Sequence, residues 1–269
     1  MNKMSINTDE TFNQAQKRDK NTKESVGNQI IQKPLILSIE TSGRTGSAAI
    51  AIGEEILDET ALSAPMKHSA ELFPAICGLL NRFDRKPKEI KHIYISSGPG
   101  SFTGLRIAAT MAKTMHLTNK VKIVAVDTLD VIAENATDYI RENDKSLDTI
   151  ATILDAKRSQ FFIAIYEMIQ GRWIKELPDC LMTAPQFLEK LAGRAEPIWL
   201  LGEGLVYYRD KFEAEGVKFI NQPYWYPKAL KVHLLGWQKA LQGQFADPLT
   251  LKPTYLRKPE IGINRKASH

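Results

Sequence analysis

The chain reads as an α/β protein of two related lobes behind a polar extension, and three observations lead there. Its 269 residues are 43% hydrophobic and 25% charged, the balance of a globular protein, with no apolar run long enough to cross a membrane. An apolar strand pattern ending in a carboxylate, LILSIE at 35–40, returns as TIATILD at 149–155. After each copy come a turn, two more strand-like segments and then helical patterns, which predicts a duplicated unit with helices packed on a strand meander. The expected divisions are an extension at 1–33, an N-terminal lobe at 34–143, a C-terminal lobe at 144–258 and a flexible tail at 259–269.

Residues 1–33 are rich in Asn, Gln, Lys, Thr, Asp and Glu, too polar to offset the entropy of ordering, so disorder is expected there. Asp9, Glu10, Asp19 and Glu24 interrupt its basic residues, unlike an organelle-targeting segment, and a cytoplasmic protein is expected. From Pro34 the pattern predicts strands at 35–40, at SAAIAI (47–52) and, beyond Gly53, at ILDETAL. In HSAELFPAICGLLNRF the residues Leu72, Phe73, Ile76, Leu79, Leu80 and Phe83 recur at helical spacing, with Ser69 as a cap and Pro74 as a kink. A strand at 90–96, a helix at 103–118, a strand at 121–126 and a helix at 128–141 complete the first half. The second half continues with strands FFIAIYEM and WIKEL, helix APQFLEKLAG, strand IWLLG and helix ALKVHLLGWQKALQ. Tyr224, Trp225 and Tyr226, flanked by prolines, read as a stiff packed loop rather than a nucleic-acid stacking platform.

The formal charge of +5 favours only weak attraction to nucleic acid. Cys77 and Cys180 are the only cysteines and form no C-x-x-C, so both are expected to be small buried apolar residues. In SSGPGSFTGLRIAAT, Gly98, Gly100 and Gly104 are one residue too widely spaced for a dinucleotide fingerprint, and Leu105 and Arg106 stand where a Walker loop needs lysine. What remains is a strand, a glycine-permitted turn and a helix start capped by Ser101 or Thr103; its N–H groups either receive an anion or carbonyl or merely turn the chain. Behind it, Ala108, Ala109 and Ala112 make a thin face while Leu105, Ile107, Met111 and Met115 leave the helix apolar nearly all round, covered by this chain or by a partner.

Glu40-Thr41-Ser42-Gly43 and Asp155-Ala156-Lys157-Arg158 occupy equivalent places in the two halves. In sugar-kinase and actin-like ATPases that place meets phosphates and magnesium. Here Glu stands for a shorter Asp, the glycine is one position late, and LLGEGL (200–205) is the nearest approach to an adenine-seating Gly-Gly, so the nucleotide apparatus reads as incomplete. His68 has Leu72 at i+4, His92, His116, His233 and His269 are scattered, and neither H-E-x-x-H nor G-x-S-x-G occurs, so no metal and no serine nucleophile is assigned.

LILSIETS, MKHSAELFP, SSGPGSFTGLRIAAT, VAVDTL, ILDAKRSQFF and PTYLR, in that order over about 35–257, make the chain resemble the TsaB (YeaZ) family, with GPGSFTGLR the most specific string. The resemblance implies the two-lobed fold of actin, sugar kinases and Hsp70 (ASKHA, ribonuclease H-like). It also implies a noncatalytic subunit without a cofactor. In that family the subunit binds TsaD, with TsaE in a ternary complex, and is required for threonylcarbamoyl transfer to N6 of adenosine 37 in tRNAs reading ANN codons; tRNA is reached through the complex. The family motifs fall on Glu40, Thr41 and Ser42, on His68 and Ser69, on Gly98, Pro99, Gly100, Ser101, Phe102, Thr103, Gly104 and Arg106, and on Asp155 and Arg158. Its association surface maps to Leu72, Ala75, Ile76 and Leu79 on one helix and Ala108, Ala109, Ala112 and Met115 on the next, a surface that would also serve a homodimer when TsaD is absent. Family members commonly carry Asp where Glu40 stands. The competing readings are an autonomous ATP-dependent phosphotransferase of the same fold and, with less support from ligand spacing, a metallopeptidase.

Overall fold

The computed structural model describes residues 33–63 and 68–256. The disorder expected before Pro34, the 259–269 tail and the side chains of His68 and Ser69, with the proposed Ser69 cap, lie outside the described residues.

Strands β1 (Leu35–Glu40), β2 (Ser47–Ile52) and β3 (Glu55–Ala61) form the expected antiparallel meander, with Leu37 opposite Ile50 and Ala49 opposite Glu59. Helix α1 (His68–Arg82) carries the chain to β4 (Ile90–Gly98), parallel to β1, and α2 (Phe102–Asn119) carries it to β5 (Lys122–Asp127), parallel to β4. The first sheet therefore runs β3-β2-β1-β4-β5. After α3 (Thr128–Ala133) and α4 (Asn135–Asn143), the same plan recurs with β6 (Thr149–Asp155), β7 (Phe161–Ile169), β8 (Arg172–Met182), α5 (Ala184–Leu191), β9 (Ile198–Leu201), α6 (Leu205–Tyr208) and β10 (Val217–Phe219). Among the described residues the second sheet runs β8-β7-β6-β9-β10. Substituting β6 for β1 makes the two orders identical, so the repeat read from LILSIE and TIATILD is a repeat of topology.

Helix α7 (Ala229–Leu241) follows the second sheet yet packs on β1, β2, β4 and β5 of the first. Its return explains why β1 is apolar at most positions instead of alternating. Leu35, Leu37 and Ile39 join the core under α1 and α2, whereas Ile36 joins Tyr94, Val124 and Val232 under α7. A strand covered on both faces has no solvent side to mark with polar residues.

Several expectations shift in detail. The helix expected at 128–141 divides at Glu134. Asp127 caps the first piece, accepting from the Leu129 and Asp130 amides, and the second opens on fully buried Asn135. The Asn135 Nδ2 donates to the carbonyls of Tyr224 (3.0 Å) and Tyr226 (2.9 Å), while Trp225 Nε1 donates to Ile220 O at 2.7 Å, so the aromatic triplet is packed as expected. β8 runs past WIKEL to Met182 because its far end pairs with the start of β7. Both residues of the β7–β8 turn, Gln170 and Gly171, have positive φ (50° and 76°), the geometry that suits a two-residue hairpin. The cysteines are corrected: Cys77 is exposed and Cys180 half-buried. Cys77 lies on the outer side of α1, and Cys180 lies on an edge strand, its Sγ donating to Ile163 O. Among the described residues no helix is long and apolar enough to cross a membrane.

Candidate functional site

The carboxyl ends of β1, β4, β6 and β9 deliver their loops to one cleft of about 810 Å³. In each sheet the first strand lies between an antiparallel and a parallel neighbour, so the chain leaves its end in opposite directions and opens a crevice there. Ser42–Arg44 and Pro99–Thr103 enter from the first sheet, Asp155–Arg158 and Glu203 from the second, and Thr254–Leu256 close one side.

Glu40, which stands where the actin-like ATPases place a shorter carboxylate toward phosphate and magnesium, is fully buried and turned into its own loop. Its carboxylate accepts from the Ser42 amide and hydroxyl (both 2.5 Å), from the Gly43 amide (3.3 Å) and from the Ser96 hydroxyl. Burial pushes its pKa up, and these donors oppose the rise. Thr41 Oγ1 donates to Gly104 O at 2.8 Å, and the Ser101 amide donates to Ser42 O at 2.7 Å. Gly100 makes that junction feasible, since a Cβ there would lie 2.5 Å from the Ser42 carbonyl oxygen. The two motif loops are thus one locked unit.

Ser101, not Thr103, caps α2, its Oγ accepting from the Gly104 amide. Arg106 lays its guanidinium 3.7 Å from the centre of the Phe102 ring, and its Nε donates to Tyr255 OH at 3.2 Å. The Thr254 amide donates to Ser97 O at 2.7 Å, so the late PTYL segment is docked on the glycine loop; Arg257 lies outside the described residues. Across the cleft Asp155 accepts from the Lys157 amide (2.7 Å) and Nζ (2.6 Å), and Lys157, Arg158 and Ser159 all hold left-handed φ near 55–64°.

Glu203 was not singled out by sequence reasoning, whose only signal was its place inside LLGEGL. It is 7% exposed, and both carboxylate oxygens accept from the Arg44 amide, at 3.1 and 2.9 Å. Burial pushes its pKa up to about 7; the Arg44 amide opposes that rise and the Glu40 charge adds to it. Arg44 itself stands 5.0 Å over the ring of Tyr207, an aromatic also missed in the sequence.

A second concavity, an apolar groove of about 740 Å³, lies between α1 and α2. Phe73, Ile76 and Cys77 line it from one helix and Ile107, Met111 and Met115 from the other. The association surface carried over from the resemblance meets this groove in part, since Leu72 lines it together with Ile76 and Met115. Leu72, Leu79, Ala108 and Ala112 are at most 1% exposed and belong to the chain's own core; Ile76 (8%) and Ala109 (7%) are nearly as buried, and Ala75 and Met115 are intermediate. Periodicity identifies a stripe but not what covers it, and the small alanines serve to press α2 onto the sheet. The face left open carries Phe73, 66% exposed, and Phe102, 43% exposed. Phe102 and Thr103 line both the groove and the cleft, so the glycine loop is the wall between them. His68 and Ser69 begin α1, but their side chains lie outside the described residues.

A family model described as TsaD, tRNA N6-adenosine threonylcarbamoyltransferase, matches residues 59–209. The tRNA threonylcarbamoyladenosine biosynthesis protein TsaB of Bacillus subtilis is 30% identical over 228 residues, 84% of this chain and 95% of that protein. Its namesake from Buchnera aphidicola subsp. Acyrthosiphon pisum is 30% identical over 58% of this chain and 69% of its own length, and that of Escherichia coli 23% identical over 82% and 94%. Among solved structures, YeaZ from Pseudomonas aeruginosa superposes with a TM-score of 0.69 at 22% identity, and a protein described as uncharacterized with similarity to peptidase YEAZ, from the same organism, with 0.71 at 21%; each covers 83% of this chain and all of the other. These superpositions show that the chain shares the fold of YeaZ.

Proposed function

The chain belongs to the TsaB family, and from that premise we propose that it serves tRNA threonylcarbamoyladenosine biosynthesis as a noncatalytic subunit that docks on TsaD. TsaE joins the pair, and tRNA is engaged through the assembly. The lobes of this subunit are 34–143 and 144–258, with α7 folded back onto the first.

The observation that carries the reading is the groove between α1 and α2. Phe73, largely exposed, and Phe102, partly exposed, at an apolar concavity leave free energy unclaimed, at about 25 cal/mol for each Å² a partner would cover. The family loop supports the same reading mechanically. Ser101 caps α2, Thr41 and Gly100 tie its start to the β1 turn, and Arg106 clamps Phe102 through Tyr255. Residues that hold a groove wall in place serve docking without supplying a nucleophile or base. In the absence of TsaD the same groove is offered to a second copy.

The autonomous phosphotransferase reading has less support. Its carboxylate, Glu40, is spent inside its own turn, and the Arg44 amide beside the cleft is held by Glu203. Reconstitution tests the proposal: TsaD, TsaE and the adenylate-forming enzyme should transfer threonylcarbamoyl to tRNA only when this chain is added. Undiminished transfer on its omission would reject the assembly role.

A further inference from the structure

Glu203 belongs to the turn after β9 of the second sheet, yet its side chain ends on the first-sheet hairpin turn, 159 residues earlier in the chain. Both oxygens converge on the Arg44 amide, and the Thr45 amide is also directed at the carboxylate. Gly43 makes room for it: a Cβ at that position would lie 2.8 Å from Oε1 and 3.2 Å from the carboxyl carbon. Successive turn amides aimed at one point form a nest that holds an oxyanion, and a carboxylate presented with both oxygens satisfies such a nest as a phosphate would.

We infer that the Gly43–Thr45 turn is an oxyanion cradle, of the kind that takes a phosphate or pyrophosphate group, and that the chain's own Glu203 occupies it. Three features beyond the contact itself favour this over a chance hydrogen bond. The turn sits at the carboxyl end of β1, facing a cleft whose volume falls in the range that accepts nucleotide-sized ligands, roughly 300–1,000 Å³. Arg44 and Arg158 line that cleft, so an incoming oxyanion would meet positive charge. And Glu203 approaches buried Glu40, a placement that works against its ionisation, so its seat depends on the Arg44 and Thr45 amides together with the Arg44 charge. The plug has a second effect, since it joins a loop of one sheet to a loop of the other across the cleft floor. Excluding phosphate and pinning the two loops are therefore one act of the same side chain.

The test uses the full chain alone, so its failure leaves docking on TsaD to be judged by reconstitution. The Arg44 and Thr45 amide resonances are followed while pyrophosphate is titrated into the wild type, Glu203→Ala and Glu203→Gln. In Glu203→Ala both amides should shift saturably, with pyrophosphate bound at least about tenfold more tightly than by the wild type, the worth of one charge-assisted hydrogen bond. An Ala variant that keeps the native spectrum but binds pyrophosphate no better than the wild type overturns the inference. Should Glu203→Ala fail to fold, Glu203→Gln decides, because it keeps the side chain's bulk and one acceptor while losing the charge. Tighter binding than wild type then upholds the cradle, and wild-type binding overturns it.

Discussion

Replacing Phe73 by alanine, beside the same replacement of its neighbour Leu72, separates a docking residue from a core residue on one helix. Phe73 is 66% exposed, which leaves about 130 Å² of its aromatic surface for a partner to cover. At about 25 cal/mol per Å² its removal costs about 3 kcal/mol of association, roughly a hundredfold in the dissociation constant for TsaD. The isolated chain should hardly notice, with a stability change within about 0.5 kcal/mol. Leu72 is 1% exposed inside the core under α1, so its truncation should destabilise the isolated chain by about 2–5 kcal/mol. Urea unfolding of each variant and calorimetric titration with TsaD read the two quantities independently. Undiminished affinity in Phe73→Ala would refute the groove as the docking face, and unfolding comparable to that of Leu72→Ala would refute the placement of Phe73 on the outside. A charge at Ala109 is a poorer probe, because that residue is only 7% exposed and the charge would be driven into the chain's own core.

Two further outcomes follow from the cleft. Gly98→Ala should cost about 1–3 kcal/mol in urea unfolding, because Gly98 has a φ of 113° and a Cβ would lie 2.7 Å from the Thr254 carbonyl oxygen, a backbone atom that cannot swing aside; an unchanged midpoint would mean that the PTYL segment is not docked on the loop. Glu203, whose pKa is raised from 4.5 to about 7, holds its proton more tightly folded than unfolded, so its contribution is complete below about pH 4.5 and is lost as the pH climbs through about 7. Relative to Glu203→Gln, the wild type should therefore lose up to roughly 3 kcal/mol of stability over that window, and a flat or rising difference would contradict the buried placement of the carboxylate.

Most of the framework was legible in residue order. Every strand of both meanders followed from short apolar runs bounded by turn residues, and the repeat of LILSIE as TIATILD anticipated that both sheets share one strand order. What shifted did so where a distant segment intervened. The helix divides just before Asn135, whose side chain ties down Tyr224 and Tyr226, and β8 outruns its apolar signal because β7 gives it a partner. The glycine loop was legible as a helix start without the features of a nucleotide fingerprint. Its partner in the first hairpin was legible only as a motif, since the bond from Ser101 to Ser42 joins residues far apart in the chain.

Local chemistry alone determined the two-lobed α/β plan, the start of α2 and the apolar character of α1 and α2, because strand and helix periodicity and turn residues depend on neighbours within a few positions. Only the tertiary structure decided which apolar residues face the chain's own sheet and which face outward, burying Leu72 and Ala108 and leaving Phe73 and Phe102 exposed. It alone brought Glu203 onto the Arg44 amide. Those outcomes depend on which surface meets which across long stretches of chain, and a helical stripe or an isolated glutamate carries the same local signature whether it is buried, exposed or seated on a turn from the other lobe.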